Sequence, residues 1–325
     1  MSQRIEDLVI IAVMSILVML FAWVYARDRQ PKSAWWLLGW AAILIHFIAF
    51  GIANLWIPGG HTLGALINRS TLIIAGAFFL LSVADPQIRT WKNSAGIVLL
   101  SLLGIGYVSA AVLRIPQSGV YVSILAAVAI VAVWDSLRLH GWRDRFWFAI
   151  WALLAPYFIF VLVRAAHGHS RDGFDFYLFS LFAVTGLLYL RHFHRFTPGV
   201  IFTSIAFIAW GLVFPLAAYL NYHRIGVSAV LWDLPKYSVA FGMLITLFEN
   251  QAEAATAAAR QFQGLFESNL AAVYVSTPEG KLLDCNSAFL NMYGFTSKQE
   301  AIEAEALSHR STHGERTAFR EALKS

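Results

Sequence analysis

Nine long apolar runs occupy most of this chain, and they constrain its fold more than any other feature. A helix needs about 20 apolar residues to cross the roughly 30 Å of hydrocarbon in a bilayer. Runs of about that length give the predicted spans 8–25, 34–57, 65–84, 94–113, 118–137, 146–165, 173–190, 198–220 and 229–249. A mean hydropathy of +0.62 with only 13% charged residues excludes an ordinary soluble domain. The sequence therefore predicts an all-α membrane domain over residues 1–249.

The distribution of positive charge predicts how these spans are oriented, because Lys and Arg are enriched in cytoplasmic loops. Ten of them fall on one side: Arg27, Arg29, Lys32, Arg89, Lys92, Arg138, Arg143, Arg145, Arg191 and Arg195. The other side has four, or six when two residues at span ends are included: Arg114, Arg164, Arg171, Arg224, Arg69 and Lys236. We expect an N-terminus outside the cell and a cytoplasmic tail. Membrane lipids are then the surroundings of the spans, and the basic loops give no reason to expect a nucleic-acid partner.

The ninth span differs from the others because Asp233, Pro235 and Lys236 lie in its first half. We interpret these residues as lying at the outer interface, where a lysine can extend to water and a proline fits the first helical turn. A shorter half-helix that enters a cavity is the alternative.

The ninth span is followed by a segment that contains no glycine or proline as far as Gln263. Residues 250–261 of this segment form the linker and are predicted to be helical. Steps of four and three residues, the spacing of a two-stranded coiled coil, connect Met243, Leu247, Asn250, Ala254, Ala257 and Gln261. The cytoplasmic members of this seam are small or polar, so both a plain spacer and a dimeric signalling helix fit. We take Asn250, Ala254 and Ala257 as candidate relay residues and expect a homodimer through this helix.

The tail changes to short, turn-punctuated elements. The segments "AAVYVS" (271–276) and "KLLDC" (281–285) predict a hairpin closed by "TPEG", Asn286 is placed to cap a short helix, and Gly294 is placed to end it. This order resembles the N-terminal half of a PAS domain over residues 262–325, with its characteristic positions at Gly280, Asn286, Tyr293 and Gly294. An unrelated small α/β module is the alternative.

The resemblance implies a multi-pass sensor of the bacterial inner membrane whose tail is an incomplete α+β PAS-like domain. It also implies that the 325 residues are the N-terminal part of a longer chain. The rest would supply the remaining PAS strands and an output module such as the histidine kinase of a two-component system or a diguanylate cyclase that makes cyclic di-GMP. The sequence contains no catalytic motif of either enzyme, so no catalytic residue is predicted and enzymatic activity is left open.

Polar side chains inside the spans are the candidate ligand-binding residues, because each is costly in hydrocarbon unless it has a partner or a use. His46 and Asn54 share one face of the second span, and Arg69 near the outer end of the third span could reach Asn54 or an anionic ligand. A structural role for His46 is the alternative. Apart from His167 and His169, no pair of histidines has a spacing diagnostic of a metal site, and no metal ligand is predicted. A single cysteine excludes a cysteine-based metal cluster, and the cofactor is left unknown.

Two classes of function remain. A sensor would detect a small or lipophilic ligand, or the state of the membrane, and would move the ninth helix. A transporter with a regulatory tail is the alternative, but transporters commonly show paired repeats and charged residues at mid-depth. The sequence shows neither an internal repeat nor an Asp or Glu at the middle of a span, so the sensor is favoured.

Overall fold

The computed structural model describes residues 2–55, 61–84, 91–140, 144–193, 196–277 and 281–308. The chain divides into two compact units, Met1–Leu247 and Phe248–Ser325. The first unit is built from helices, and the second adds a two-stranded sheet. The predicted domain limits after residues 249 and 261 remain predictions.

Within the described part of the chain, eight helices are long and apolar enough to cross a membrane. They are α1 (Ser2–Asp28), α2 (Pro31–Leu55), α3 (His61–Val83), α4 (Trp91–Val112), α5 (Ser118–His140), α6 (Arg145–Ala166), α7 (Ser170–Phe193) and α8 (Pro198–Tyr222). Each coincides with one of the first eight predicted spans. Residues 56 and 57 of the second span lie outside the described residues.

Buried aromatic rings hold four of these helices together. The ring of Trp210 in α8 stacks on Phe182 of α7 with 4.1 Å between centroids, and Trp40 of α2 lies 6.5 Å from Trp210. Phe79 of α3 meets both tryptophans edge-on, at 5.3 and 6.2 Å. All four side chains are fully buried, so α2, α3, α7 and α8 share one dense core.

A glycine sets the close approach of α7 and α8. A Cβ atom at Gly186 would lie 2.7 Å from the backbone oxygen of Ser204, and the Ser204 hydroxyl donates to the Gly186 carbonyl at 2.7 Å. Small residues and hydroxyl groups are the usual means of bringing membrane helices together.

The ninth helix, α9 (Ala229–Ser268), supplies residues to both units. Val239, Ala240, Met243 and Leu247 are buried in the main core of the first unit. Length and composition do not place α9 among the eight membrane-spanning candidates, so a ninth span remains a prediction. Pro235 is the seventh residue of α9, which corrects the expectation that it lies in the first helical turn.

The second unit follows the predicted order of elements. Strands β1 (Tyr274–Ser276) and β2 (Leu282–Cys285) pair antiparallel, and the helices α10 (Ser287–Tyr293) and α11 (Lys298–Ser308) come after them. The side chain of Asn286 caps α10, and Gly294 ends it with a left-handed φ of 77°. The predicted hairpin, cap and glycine stop are therefore confirmed.

Candidate functional site

A cavity of about 590 Å³ lies inside the first unit, and its walls come from α3, α4, α5, α6 and α7. This volume falls in the range of small-molecule sites in proteins, roughly 300–1,000 Å³. Alanines widen it, since Ala77, Ala129, Ala132 and Ala155 stand where larger side chains would fill the space. The cavity is thus a candidate ligand site in the membrane unit.

One face of α7 runs along the whole cavity. Its lining residues are Phe176, Tyr177, Ser180, Leu181, Val184, Leu188, Arg191 and His192. Their spacing of three to four residues is that of a single helical face, while Leu178, Phe182 and Tyr189 face the main core instead. At 1.5 Å of rise per residue, the lined part of α7 is about 24 Å long.

Polar groups gather at one end of the cavity, near the end of α5 and the start of α6. The Ser136 hydroxyl accepts a hydrogen bond from Trp151 Nε1 at 3.0 Å. Arg191 donates two hydrogen bonds to the carboxylate of Asp144, at 2.9 and 3.3 Å, so its charge is matched within the protein. The carboxylate of Asp135 is buried and packs so closely on Gly96 that any side chain there would collide with it.

Two of the three candidate ligand residues predicted from the sequence, His46 and Arg69, do not line this cavity. His46 is buried, its Nδ1 lies 2.8 Å from the Asn68 carbonyl, and the Asn68 amide donates back to the His46 carbonyl at 3.2 Å. Arg69 places its guanidinium 5.8 Å from the ring centroid of Phe174 at the start of α7. The side chain of Asn54 lies outside the described residues. His46 and Arg69 are not among the residues that line the cavity, and a role of His46, Asn54 and Arg69 in ligand binding stays a prediction.

The charged residues of the ninth predicted span form a local pair. Lys236 makes an ion pair with Asp233, and its ammonium lies 4.8 Å from the ring centroid of Phe47 in α2. Both charged side chains are almost fully buried. Each of the two buried charges of α9 therefore has an opposite charge as its partner.

A second candidate site lies in the second unit, where hydrogen bonds of Asn286 connect the end of α9 to the residues that lead into β1. Asn286 is fully buried. Its amide nitrogen donates to the carbonyl groups of Phe266, Asn269 and Ala271, at 3.1, 3.2 and 2.8 Å. Its amide oxygen accepts from the backbone N–H groups of Val273 and Phe289, at 3.0 and 2.9 Å. One side chain thus joins the last turn of α9, the residues that lead into β1, and the start of α10.

An ionic cluster lies beside this junction. The ammonium of Lys298 contacts Glu267 of α9 at 2.7 Å and Asp284 of β2 at 2.8 Å. The Ser287 backbone N–H and hydroxyl also donate to Glu267, at 3.2 and 3.0 Å. Lys298, and after it Ser287, lower the pKa of the Glu267 carboxyl, and Asp284 and Glu267 raise the pKa of Lys298.

The predicted relay seam needs a correction in its first half. Met243 and Leu247 are buried in the core of their own unit, so they cannot pair with a second helix. Asn250 is half-buried, and Ala254 and Ala257 are exposed. Large exposed apolar residues follow a different heptad phase, with Phe248 and Phe262 fourteen residues apart and Leu265 three residues further on.

The remaining PAS positions have structural roles. Gly294 adopts the left-handed conformation that a side chain would disfavour, and Tyr293 packs its ring 4.5 Å from that of Phe289 while staying 61% exposed. Gly280 lies outside the described residues.

Sequence reasoning missed the cavity and a buried carboxylate. The lining residues come from five helices, so no single segment of the sequence indicates the cavity. The small residues repeated at helical spacing in α5 are a local pattern that is consistent with it. Asp175 of α7 is 7% exposed, and its carboxylate lies 3.9 Å from Arg171. Among the described residues, no group of three or more His, Cys, Asp or Glu side chains could hold a metal ion.

Comparison with protein families matches residues 260–323 to the PAS domain. Neither the curated proteins nor the solved structures give a match to this chain. The family match agrees with the hairpin, the Asn286 cap and the Gly294 stop. The fold class is therefore a helical membrane bundle followed by a PAS-like domain.

Proposed function

We propose that this chain is the input part of a sensor in the bacterial inner membrane, with its N-terminus outside and its PAS-like unit in the cytoplasm. A stimulus received by the membrane unit changes the position of α9, and the PAS-like unit passes this change to an output module such as a histidine kinase or a diguanylate cyclase. Apolar helices and a PAS domain in one chain support this function.

The observation that carries the proposal is the continuity of α9. Its first part is packed into the core of the membrane unit through Met243 and Leu247. Its last turn is held in the second unit through the carbonyl of Phe266 and the carboxylate of Glu267. A change in the packing of the first part has a continuous helix along which to reach the second. A ligand biases such a helix only through its different affinity for two arrangements.

Pairing of two copies would place two such helices side by side. Exposed residues support a heptad phase whose successive steps are seven, three, four and three residues: Phe248, Ala255, Ala258, Phe262 and Leu265. We propose a parallel homodimer in this phase.

A glycine substitution tests the relay without knowledge of the stimulus. A side chain at Gly242 of α9 would collide with the Thr203 hydroxyl of α8 and would lie 3.0 Å from the Thr203 Cα. Gly242→Val should therefore push α9 away from α8. Gly106→Val is the matched control, because a Cβ at Gly106 of α4 meets nothing within 4 Å.

The readout is hydrogen exchange of the whole protein in lipid nanodiscs. We expect Gly242→Val to change exchange at residues 266–290 by about threefold or more, whereas Gly106→Val leaves it unchanged. If Gly242→Val raises exchange in α8 and α9 while residues 266–290 exchange as before, α9 is a passive tether and the relay is wrong.

A further inference from the structure

The cavity among α3–α7 has an apolar body and four hydroxyl groups in its lining. Three of these hydroxyls donate to backbone carbonyls of their own or a neighbouring helix: Ser101 to Ile97 at 2.8 Å, Ser136 to Val133 at 2.9 Å, and Tyr177 to Leu100 at 2.9 Å. The fourth, Ser180, has a buried Oγ atom that makes no hydrogen bond with any described residue. It does not donate to the carbonyl four residues before it, as Ser101 does.

An unsatisfied hydroxyl inside a membrane protein is costly, because neither lipid nor apolar side chains can bond to it. Ser180 lies near the middle of α7, one turn after Phe176 and one turn before Val184, on the face that lines the cavity. The Oγ atom has almost no surface accessible from the cavity in this rotamer, so a ligand completes its hydrogen bonding when the Ser180 side chain turns to another staggered rotamer.

The charges of the lining exclude a strongly ionic ligand. The described lining residues include one carboxylate, Asp135, one guanidinium, Arg191, and the imidazole of His192, so neither sign dominates. Arg191 already makes two hydrogen bonds with Asp144, and its guanidinium lies 4.7 Å from the ring centroid of Phe146. An ion entering the apolar body would lose its hydration without gaining a counter-charge.

We propose that this cavity binds an uncharged, single-chain lipophile with one hydrogen-bonding group, such as a medium-chain alcohol or ketone. The apolar chain lies along α7 between Phe176 and His192, and the polar group bonds to the Ser180 hydroxyl once that side chain has turned towards the cavity. This assignment names the ligand class of the proposed sensor and so rests on the proposed function. Acyl chains of bilayer lipids share the apolar chemistry, but they offer no polar group at mid-depth.

Photolabelling of the whole protein tests the assignment. The probe is dodecan-1-ol that carries a diazirine in its chain, applied to protein in nanodiscs of phosphatidylethanolamine and phosphatidylglycerol. We expect saturable labelling of peptides from α5, α6 and α7 that excess dodecan-1-ol removes. Dodecanoate and dodecyltrimethylammonium should compete about tenfold less well, as the neutral lining requires.

Substitutions locate the site. Ala129→Trp in α5 and Ala155→Phe in α6 fill the cavity from two walls, and each should reduce labelling about tenfold or more, since filled space leaves no room for the chain. Ile130→Trp is the matched control, because Ile130 is 68% exposed and does not line the cavity. Ser180→Ala should weaken competition by dodecan-1-ol about fivefold, the loss of one neutral hydrogen bond, and leave competition by dodecane unchanged.

Three results would overturn the proposal: labelling that does not saturate, labelling that survives both cavity-filling variants, or stronger competition by either charged amphiphile. The first would identify ordinary bilayer lipid as the occupant. Labelling reports binding alone, whereas hydrogen exchange at residues 266–290 reports the relay. Saturable labelling together with unchanged exchange in Gly242→Val would contradict the sensor and support the ligand site. Labelling that does not saturate together with changed exchange in Gly242→Val would support the sensor and contradict the ligand site.

Discussion

Asn286 offers the sharpest test of the junction, because its two ends have separable roles. The amide oxygen caps α10 and accepts from Val273, whereas the amide nitrogen donates to three carbonyls that include the last turn of α9. Asp is as good an N-cap as Asn. Asn286→Asp therefore keeps the cap and replaces the donor with an oxygen that faces the carbonyl groups of Phe266, Asn269 and Ala271.

The expected loss follows from this geometry. A buried polar group left without its partner costs about 1–3 kcal/mol. An oxygen that faces carbonyl oxygens adds repulsion, so we expect a loss of about 3 kcal/mol in the free energy of local opening, or roughly 150-fold in the opening equilibrium. Asn286→Ala removes the cap as well, which is worth about 1 kcal/mol more.

Hydrogen exchange of the whole protein measures the loss at the amides of Val273 and Phe289. Asn291→Asp is the matched control, since it makes the same chemical change at an exposed position of α10. An exchange rate for Asn286→Asp within about twofold of the wild type would refute the reasoning, because the residue would then be a helix cap and nothing more.

Three further predictions address topology, pairing and pH. Reporter fusions should all give a cytoplasmic signal at Trp91, Asp144 and His194, and an external signal at any of them would contradict the predicted orientation. Cysteines introduced at Ala255 should crosslink two copies more strongly than cysteines at Ala257, about 200° away on the helix. Equal crosslinking at the two positions would contradict the proposed phase. The native Cys285 should not interfere, because it is buried and burial raises the pKa of its thiol. Because the pKa of Glu267 is lowered in the folded protein, the ionic cluster stabilises the second unit above the ordinary carboxyl pKa of 4.5, and this stabilisation is lost as the pH falls through the lowered value. Lys298→Met should make hydrogen exchange of the second unit less sensitive to acid. An unchanged pH profile of exchange would contradict the role of the cluster.

The sequence by itself determined the elements whose causes are local. Apolar length predicted α1 to α8, because a run of about 20 apolar residues has few alternatives to a membrane helix. Turn and cap chemistry likewise predicted the hairpin, the Asn286 cap and the Gly294 stop, since each depends on residues within one or two turns of the chain.

Only the tertiary structure decided which helix faces meet. Met243 and Leu247 fit a coiled-coil seam by spacing, but α9 buries them in its own bundle. The cavity and Ser180 could not be inferred from any local pattern, because the walls come from five helices. An almost uniformly apolar helix shows little contrast between its faces in sequence, since the lipid-facing and protein-facing sides are both apolar. The packing of neighbouring helices therefore had to supply what the sequence pattern did not.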